Sequence, residues 1–107
     1  MLNFKGISAN AGQAEGRLCI VHHQDEFSHC KDGDVILLVQ AKPNAAVIKM
    51  SKALLAVHGG VTSHVGIAAR ENHKPSVVGL PEEILQHVKD GDVVNVDANM
   101  ESLKFYD

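Results

Sequence analysis

Residues 54–78 constrain the fold more than any other part of this 107-residue chain. The apolar run 54–57 predicts a short buried strand, which Gly59-Gly60 ends abruptly. A helix is predicted that begins after an N-cap at Thr62 or Ser63 and ends at about Glu71, and Pro75 then forces the chain into an extended segment. A strand, a glycine turn, a helix and a second strand in this order indicate a layered α/β fold.

Further strands are predicted on both sides of this unit. Alternation over residues 17–21 predicts one strand, and the apolar run 35–39 predicts a central strand that is buried on both faces. Residues 93–97 and 102–105 predict a final hairpin. The tetrapeptide Asp-Gly-Asp-Val begins two of these strands, which indicates two turns of similar geometry.

Helices are predicted at two other places. Pro43 and Asn44 precede apolar residues at helical spacing, and Pro81-Glu82-Glu83 places proline and acidic side chains where a helix start favours them. With 45% apolar residues, a chain of this length can bury one ordinary core. We therefore expect a single domain over residues 1–107.

Composition argues against several classes of function. The net charge is −3 and aromatic residues make up 4% of the chain, so a nucleic-acid partner is not expected. Apolar runs are too short for a membrane span, and the N-terminus does not resemble a signal peptide. Cys19 and Cys30 form no CxxC pair, so we expect reduced thiols in a cytoplasmic protein; a disulfide between them is the open alternative.

The segment that carries chemistry is a histidine in the first turn of a helix behind a double glycine. Gly59 and Gly60 allow a sharp bend and a close approach to a ligand, and the first helical turn offers unpaired N–H groups. An anion is favoured at such a position. Thr62 and Ser63 can each act as the helix N-cap or as a phosphate ligand, and the sequence leaves both roles open.

His64 is the predicted nucleophile of this segment. Neutral imidazole is available near neutral pH, so a histidine at an anion site can attack phosphorus and hold the product. Arg70 can help to neutralise a phosphoryl group, or it can serve a structural ion pair almost two turns further along the helix.

The residues of this segment resemble the signature of a known family. Residues 59–79 read GGVTSHVGIAARENHKPSVVG, which is similar to the phosphohistidine swivelling domain of pyruvate phosphate dikinase, phosphoenolpyruvate synthase and enzyme I. The resemblance extends over almost the whole chain. It implies a swivelling β/β/α fold in which His64 is phosphorylated, and Gly59, Gly60, Thr62, Ser63 and Arg70 are the candidate phosphate-binding residues.

The same resemblance implies partners. The domain would swing between a nucleotide-binding, ATP-grasp-like domain and a domain that handles phosphoenolpyruvate and pyruvate. Mg²⁺ and ATP or phosphoenolpyruvate are expected on those partners, with no cofactor bound here and no phosphotransferase activity without them. The alternative function is a non-catalytic regulatory module that binds phosphate or another anion in the same pocket.

A metal site is the remaining alternative. His22, His23, His29 and Cys30 are all metal-capable and lie close together in sequence. Their spacing matches none of the strong zinc patterns, and the segment is polar enough to be a solvated loop. No bound metal is therefore expected.

Overall fold

The computed structural model describes residues 2–23, 26–58 and 63–106. Across these residues eight strands form one sheet in the spatial order β1-β8-β7-β3-β4-β5-β6-β2. The strands are Leu2–Lys5 (β1), Ile7–Asn10 (β2), Gln13–Val21 (β3), Val35–Leu38 (β4), Ala53–Val57 (β5), Ser76–Leu80 (β6), Val93–Asp97 (β7) and Ser102–Phe105 (β8). The helices are Ala45–Met50 (α1), His64–Glu71 (α2) and two 3-10 helices at Phe27–His29 and Glu82–Gln86.

Strand β3 divides the sheet into two halves. Its first residues, from Gln13 to Arg17, pair with β7 in antiparallel register, and its last residues, from Leu18 to Val21, pair with β4 in parallel register. One half contains β1, β8 and β7, which are antiparallel, and the other contains the parallel strands β4, β5 and β6 with β2 at its edge. A nine-residue strand thus belongs to both halves.

Two buried clusters separate three layers. In β4, Val35 and Leu37 belong to a cluster shared with β7 and β8, whereas Ile36 and Leu38 belong to a cluster shared with both α-helices. Successive residues of a strand point to opposite faces, so the parallel half has the antiparallel half on one side and the helices on the other. This arrangement is the β/β/α fold that the resemblance implies.

Burial on both faces explains the apolar runs of the central strands. Every residue of β4 and β5 is buried. Strands covered on both sides read as continuous apolar runs, because neither face meets water. The central strand predicted at 35–39 is therefore confirmed, as are the predicted strand at 54–57 and the final hairpin of β7 with β8.

The predicted turns and helices are also confirmed, with one refinement. Gly33 and Gly91, in the two Asp-Gly-Asp turns, have φ angles of 87° and 91°, so the repeated tetrapeptide adopts similar geometry. Asn44 is the N-cap of α1 and accepts a hydrogen bond from the Val47 amide at 2.9 Å. The short helix after Pro81 is a 3-10 helix.

Two strands were not predicted. β1 pairs with β8, and β2 pairs with β6, so consecutive strands belong to different halves of the sheet. Gly6 lies between them at a close approach: a Cβ atom there would be 2.5 Å from the Val78 carbonyl oxygen and 2.7 Å from Cγ1 of Val77. The crossing from one half to the other therefore requires a residue without a side chain.

Gly6→Ala should destabilise the protein, because the added methyl group overlaps backbone as well as side-chain atoms. The expected loss in the free energy of unfolding is about 1–3 kcal/mol, the usual cost of overpacking. Urea unfolding measures it. Lys5→Ala, at the exposed neighbouring position, should change stability by no more than about 0.5 kcal/mol. Equal stability of Gly6→Ala and the parent would contradict the close approach.

The expectation of reduced thiols is wrong. Cys19 and Cys30 form a disulfide, with Cα atoms 5.6 Å apart. Cys19 lies on the helix-facing side of β3, and the chain returns through the 3-10 helix Phe27–His29 to place Cys30 in the same buried cluster. A separation of 11 residues carries no recognisable pairing motif, so only the tertiary path brings the two sulfur atoms together.

Reduction of this disulfide should lower the free energy of unfolding. Closing a loop of this length lowers the conformational entropy of the unfolded chain. The expected loss in the free energy of unfolding on reduction is therefore about 2–3 kcal/mol. The comparison is urea unfolding with and without a dithiol reductant, in the presence of a metal chelator. The Cys19→Ala/Cys30→Ala variant serves as control, since the reductant should leave its midpoint unchanged. If the reductant left the urea midpoint of the parent unchanged, a stabilising role of the disulfide would be contradicted.

Candidate functional site

His64 is the first residue of α2, and its side chain is exposed. Ser63 is the N-cap: its hydroxyl oxygen accepts a hydrogen bond from the Gly66 amide at 3.4 Å, and its carbonyl accepts one from the Ile67 amide at 3.0 Å. The N–H groups of a first turn precede the first intrahelical donors, so they have no partner within the helix. The imidazole therefore stands at the positive end of a helix dipole.

The packing of α2 explains why His64 faces outward. Val65, Gly66 and Ala69 are buried against the sheet, whereas His64 and Ile67 are exposed. Gly66 lies inside the helix, where glycine costs about 1 kcal/mol relative to alanine, and it is among the buried residues of α2. The buried face fixes the rotation of the helix and with it the direction of the His64 side chain.

A cavity of about 270 Å³ opens beside His64. It lies where β4 and β5 end and α2 begins, the position at which parallel sheets usually bind ligands. We call it the His64 cavity; its described lining residues are Leu38, Val39, Gln40, Ala41, Lys42, Ala56, Val57, His58, Ser63, His64 and Val65.

The charges around the His64 cavity suit an anion. Lys42 and His58 line it together with His64. None of its described lining residues carries a carboxylate. Together with the helix start, these groups can attract a phosphate.

His58 was not predicted as part of the site. It follows β5 directly and has a φ of 67°, a conformation that residues other than glycine rarely adopt. Two backbone hydrogen bonds to β6 hold it there: its amide donates to the Leu80 carbonyl at 3.3 Å, and its carbonyl accepts from the Gly79 amide at 3.0 Å. Its ring Nε2 lies 3.4 Å from an oxygen of Glu82. Its position just before Gly59 was the available signal in the sequence.

The other predicted phosphate-binding residues divide into two groups. Gly59, Gly60 and Thr62 lie outside the described residues. Arg70 does not line the His64 cavity; its guanidinium donates a hydrogen bond to the Ala9 carbonyl at 3.1 Å and so links α2 to β2. Ser63 is the N-cap and also lines the cavity. A phosphate-binding role for these residues stays a prediction.

Three metal-capable side chains lie together near the amino end of the parallel strands. Cys19, His29 and Cys30 form a group whose potential ligand atoms are within 4.8 Å of one another. His22 and His23 are not members of it; their backbone amides donate to Glu26 at 2.7 and 3.1 Å. These two bonds lower the pKa of the Glu26 carboxyl, because they stabilise its charged form.

No helix in the described part of the chain has the length and apolar character needed to cross a membrane.

Comparisons with known proteins agree with this architecture. A probable phosphoenolpyruvate synthase from Pyrococcus horikoshii is 35% identical over 94 residues, which cover 87% of this chain. The chain spans only 11% of that protein. The solution structure of an enzyme I protein superimposes on this chain with a TM-score of 0.59 at 30% sequence identity. The match covers 74% of this chain and 33% of the other.

A second structure shows that the fold is not confined to one sequence family. Aconitase X of Thermococcus kodakaraensis superimposes with a TM-score of 0.79 over the full length of both chains, at 18% identity. A likeness at that identity supports the fold alone. The sequence match is more specific: residues 30–100 match the family described as PEP-utilising enzyme, mobile domain. This chain therefore belongs to the mobile-domain family of phosphoenolpyruvate-utilising enzymes.

Proposed function

We propose that this domain is a phosphohistidine carrier, in which His64 accepts a phosphoryl group from one partner site and passes it to another. The observation that carries the proposal is the exposed imidazole of His64 in the first turn of α2. It borders a cavity whose described lining residues include Lys42 and no carboxylate. Family membership supports the same function.

The chemistry is a reversible transfer in two steps. A neutral ring nitrogen of His64 attacks the phosphorus of ATP or phosphoenolpyruvate; the P–N bond forms as the bond to the departing ADP or enolate oxygen breaks. The acceptor then attacks the same phosphorus, and the P–N bond breaks. The electron pair returns to the imidazole, which is ready for another cycle.

Most of the rate acceleration must come from the partners. A helix end stabilises an exposed charge by about 0.3–1 kcal/mol, which is small beside a phosphoryl-transfer barrier. Mg²⁺ and the donor would be held by an ATP-grasp-like domain and by a domain that binds phosphoenolpyruvate or pyruvate. The far greater length of the phosphoenolpyruvate synthase relative supports such partners, because most of that protein lies outside the match.

The remaining candidate residues have supporting roles in this proposal. Gly59 and Gly60 would shape the pocket, and Thr62 and Ser63 would line it. The hydrogen bond of Arg70 to the Ala9 carbonyl favours a role in holding α2 in place. Ile67, one turn beyond His64, is 44% exposed and offers an apolar contact to a docking partner. A cytoplasmic location fits this function.

His64→Ala should abolish phosphorylation. Incubated with Mg²⁺, ATP or phosphoenolpyruvate and a candidate partner domain, the parent should gain the mass of one phosphoryl group. The group should be labile in acid and stable in base, as expected for a P–N bond. Intact-mass spectrometry measures it. His73→Ala, which removes an exposed histidine outside the cavity, is the matched control and should be phosphorylated like the parent.

Two results would contradict the carrier function. Phosphorylation that persists in His64→Ala would place the acceptor elsewhere. An unlabelled parent that nevertheless binds inorganic phosphate at the His64 cavity would favour the alternative, a regulatory anion-binding module. Amide chemical-shift changes in α2 during a phosphate titration distinguish this second case.

A further inference from the structure

A second cavity lies at the end of the parallel strands opposite the His64 cavity. Its volume is about 230 Å³, and its lining includes Leu18 and Cys19 of β3, His29, and Asp90. The two sulfur atoms of Cys19 and Cys30 and one ring nitrogen of His29 lie within 4.8 Å of one another. Both cysteines are buried, whereas the side chain of His29 is 41% exposed.

His29 is held in one orientation by two groups. Its Nε2 lies 3.0 Å from the Ile20 carbonyl oxygen and 3.5 Å from Oδ2 of Asp90. A carbonyl only accepts hydrogen bonds, so Nε2 carries the hydrogen and Nδ1 keeps the lone pair. Asp90 is fixed in turn, because its Oδ1 accepts a hydrogen bond from the Ile20 amide at 2.6 Å.

This arrangement is the one that histidine ligands of metal ions usually have. Such a histidine donates its second ring N–H to a carboxylate or a backbone carbonyl, which sets the tautomer and the ring orientation. Here both partners of that kind are present before any metal is considered.

We propose that Cys19, Cys30 and His29 form a Zn²⁺ site when the disulfide is reduced, with Asp90 orienting His29. Two thiolates and an imidazole are ligands that Zn²⁺ prefers, and a water molecule from the cavity completes the tetrahedron. With Zn–S near 2.3 Å and Zn–N near 2.0–2.1 Å, tetrahedral ligand atoms are about 3.4–3.8 Å apart. Once the S–S bond is broken, the two sulfur atoms move apart to this spacing, and a ring nitrogen of His29 already lies within 4.8 Å of both.

The disulfide and the metal exclude each other. A dithiol reductant supplies two electrons and two protons; the S–S bond breaks, two thiols form, and the reductant becomes a disulfide. Zn²⁺ then replaces the two thiol protons, which pass to solvent, and His29 binds as the neutral imidazole. A small disulfide that takes the two electrons back re-forms the Cys19–Cys30 bond and releases the ion.

The test is a Zn²⁺ titration of the reduced 107-residue chain against a chromophoric chelator, without oxygen. One Zn²⁺ should bind per chain, and the oxidised chain should not compete with the chelator. Because His29 is exposed, His29→Ala should keep the fold while it weakens Zn²⁺ binding at least about 100-fold, and Asp90→Asn should weaken it about 10–100-fold. His23→Ala, in the same loop but outside the group, is the matched control and should bind like the parent.

Co²⁺ provides an independent readout of the ligands. Bound to the reduced chain, it should show the visible bands of a tetrahedral site and a thiolate charge-transfer band, both absent from Cys19→Ala/Cys30→Ala. Equal Zn²⁺ affinity of the reduced and oxidised chains would overturn the proposal. Unchanged affinity in His29→Ala, or a Co²⁺ spectrum without thiolate character, would also overturn it.

Discussion

The parallel pairing of β4 with β5 is the contact on which both ends of the molecule depend. Residues 35–38 align with 53–56 without an offset, and every residue of these two strands is buried. Two parallel strands bring their carboxyl ends to the same edge, so the loop that leads to α1 begins there beside His58. The His64 cavity lies at this edge, lined by the first residues of that loop and by His58, Ser63 and His64.

The two edges of this parallel half differ in chemistry. At the carboxyl edge, Lys42 and His58 line the same cavity as the exposed imidazole of His64 at a helix start, which favours an anion. At the amino edge the buried Cys19–Cys30 disulfide lies beside the imidazole of His29. That ring contacts the Asp90 carboxylate and the Ile20 carbonyl. The same residue type therefore has two different environments: His64 is exposed at a helix start, whereas His29 donates its Nε2–H to the Ile20 carbonyl.

The sequence predicted features that depend on local patterns and missed those that depend on tertiary paths. The continuous apolar run of β4, the N-cap Asn44 and the exposed start of α2 follow from neighbouring residues. β1 and β2 are specified by pairing with strands β8 and β6, which lie far along the chain. The disulfide likewise depends on the path of the chain between residues 19 and 30, for which no short motif exists.

Position 64 should make one imidazole more reactive toward phosphorus than the others. The chain has seven histidines, which serve as internal controls for each other. Phosphoramidate is a small phosphoryl donor that needs no partner domain. Peptide mapping in mildly basic solution then measures the relative rate at which each histidine is phosphorylated. We expect His64 to be phosphorylated first and to retain the phosphoryl group longest. Labelling of His64 no faster than of the exposed His22, His23 and His73 would contradict it.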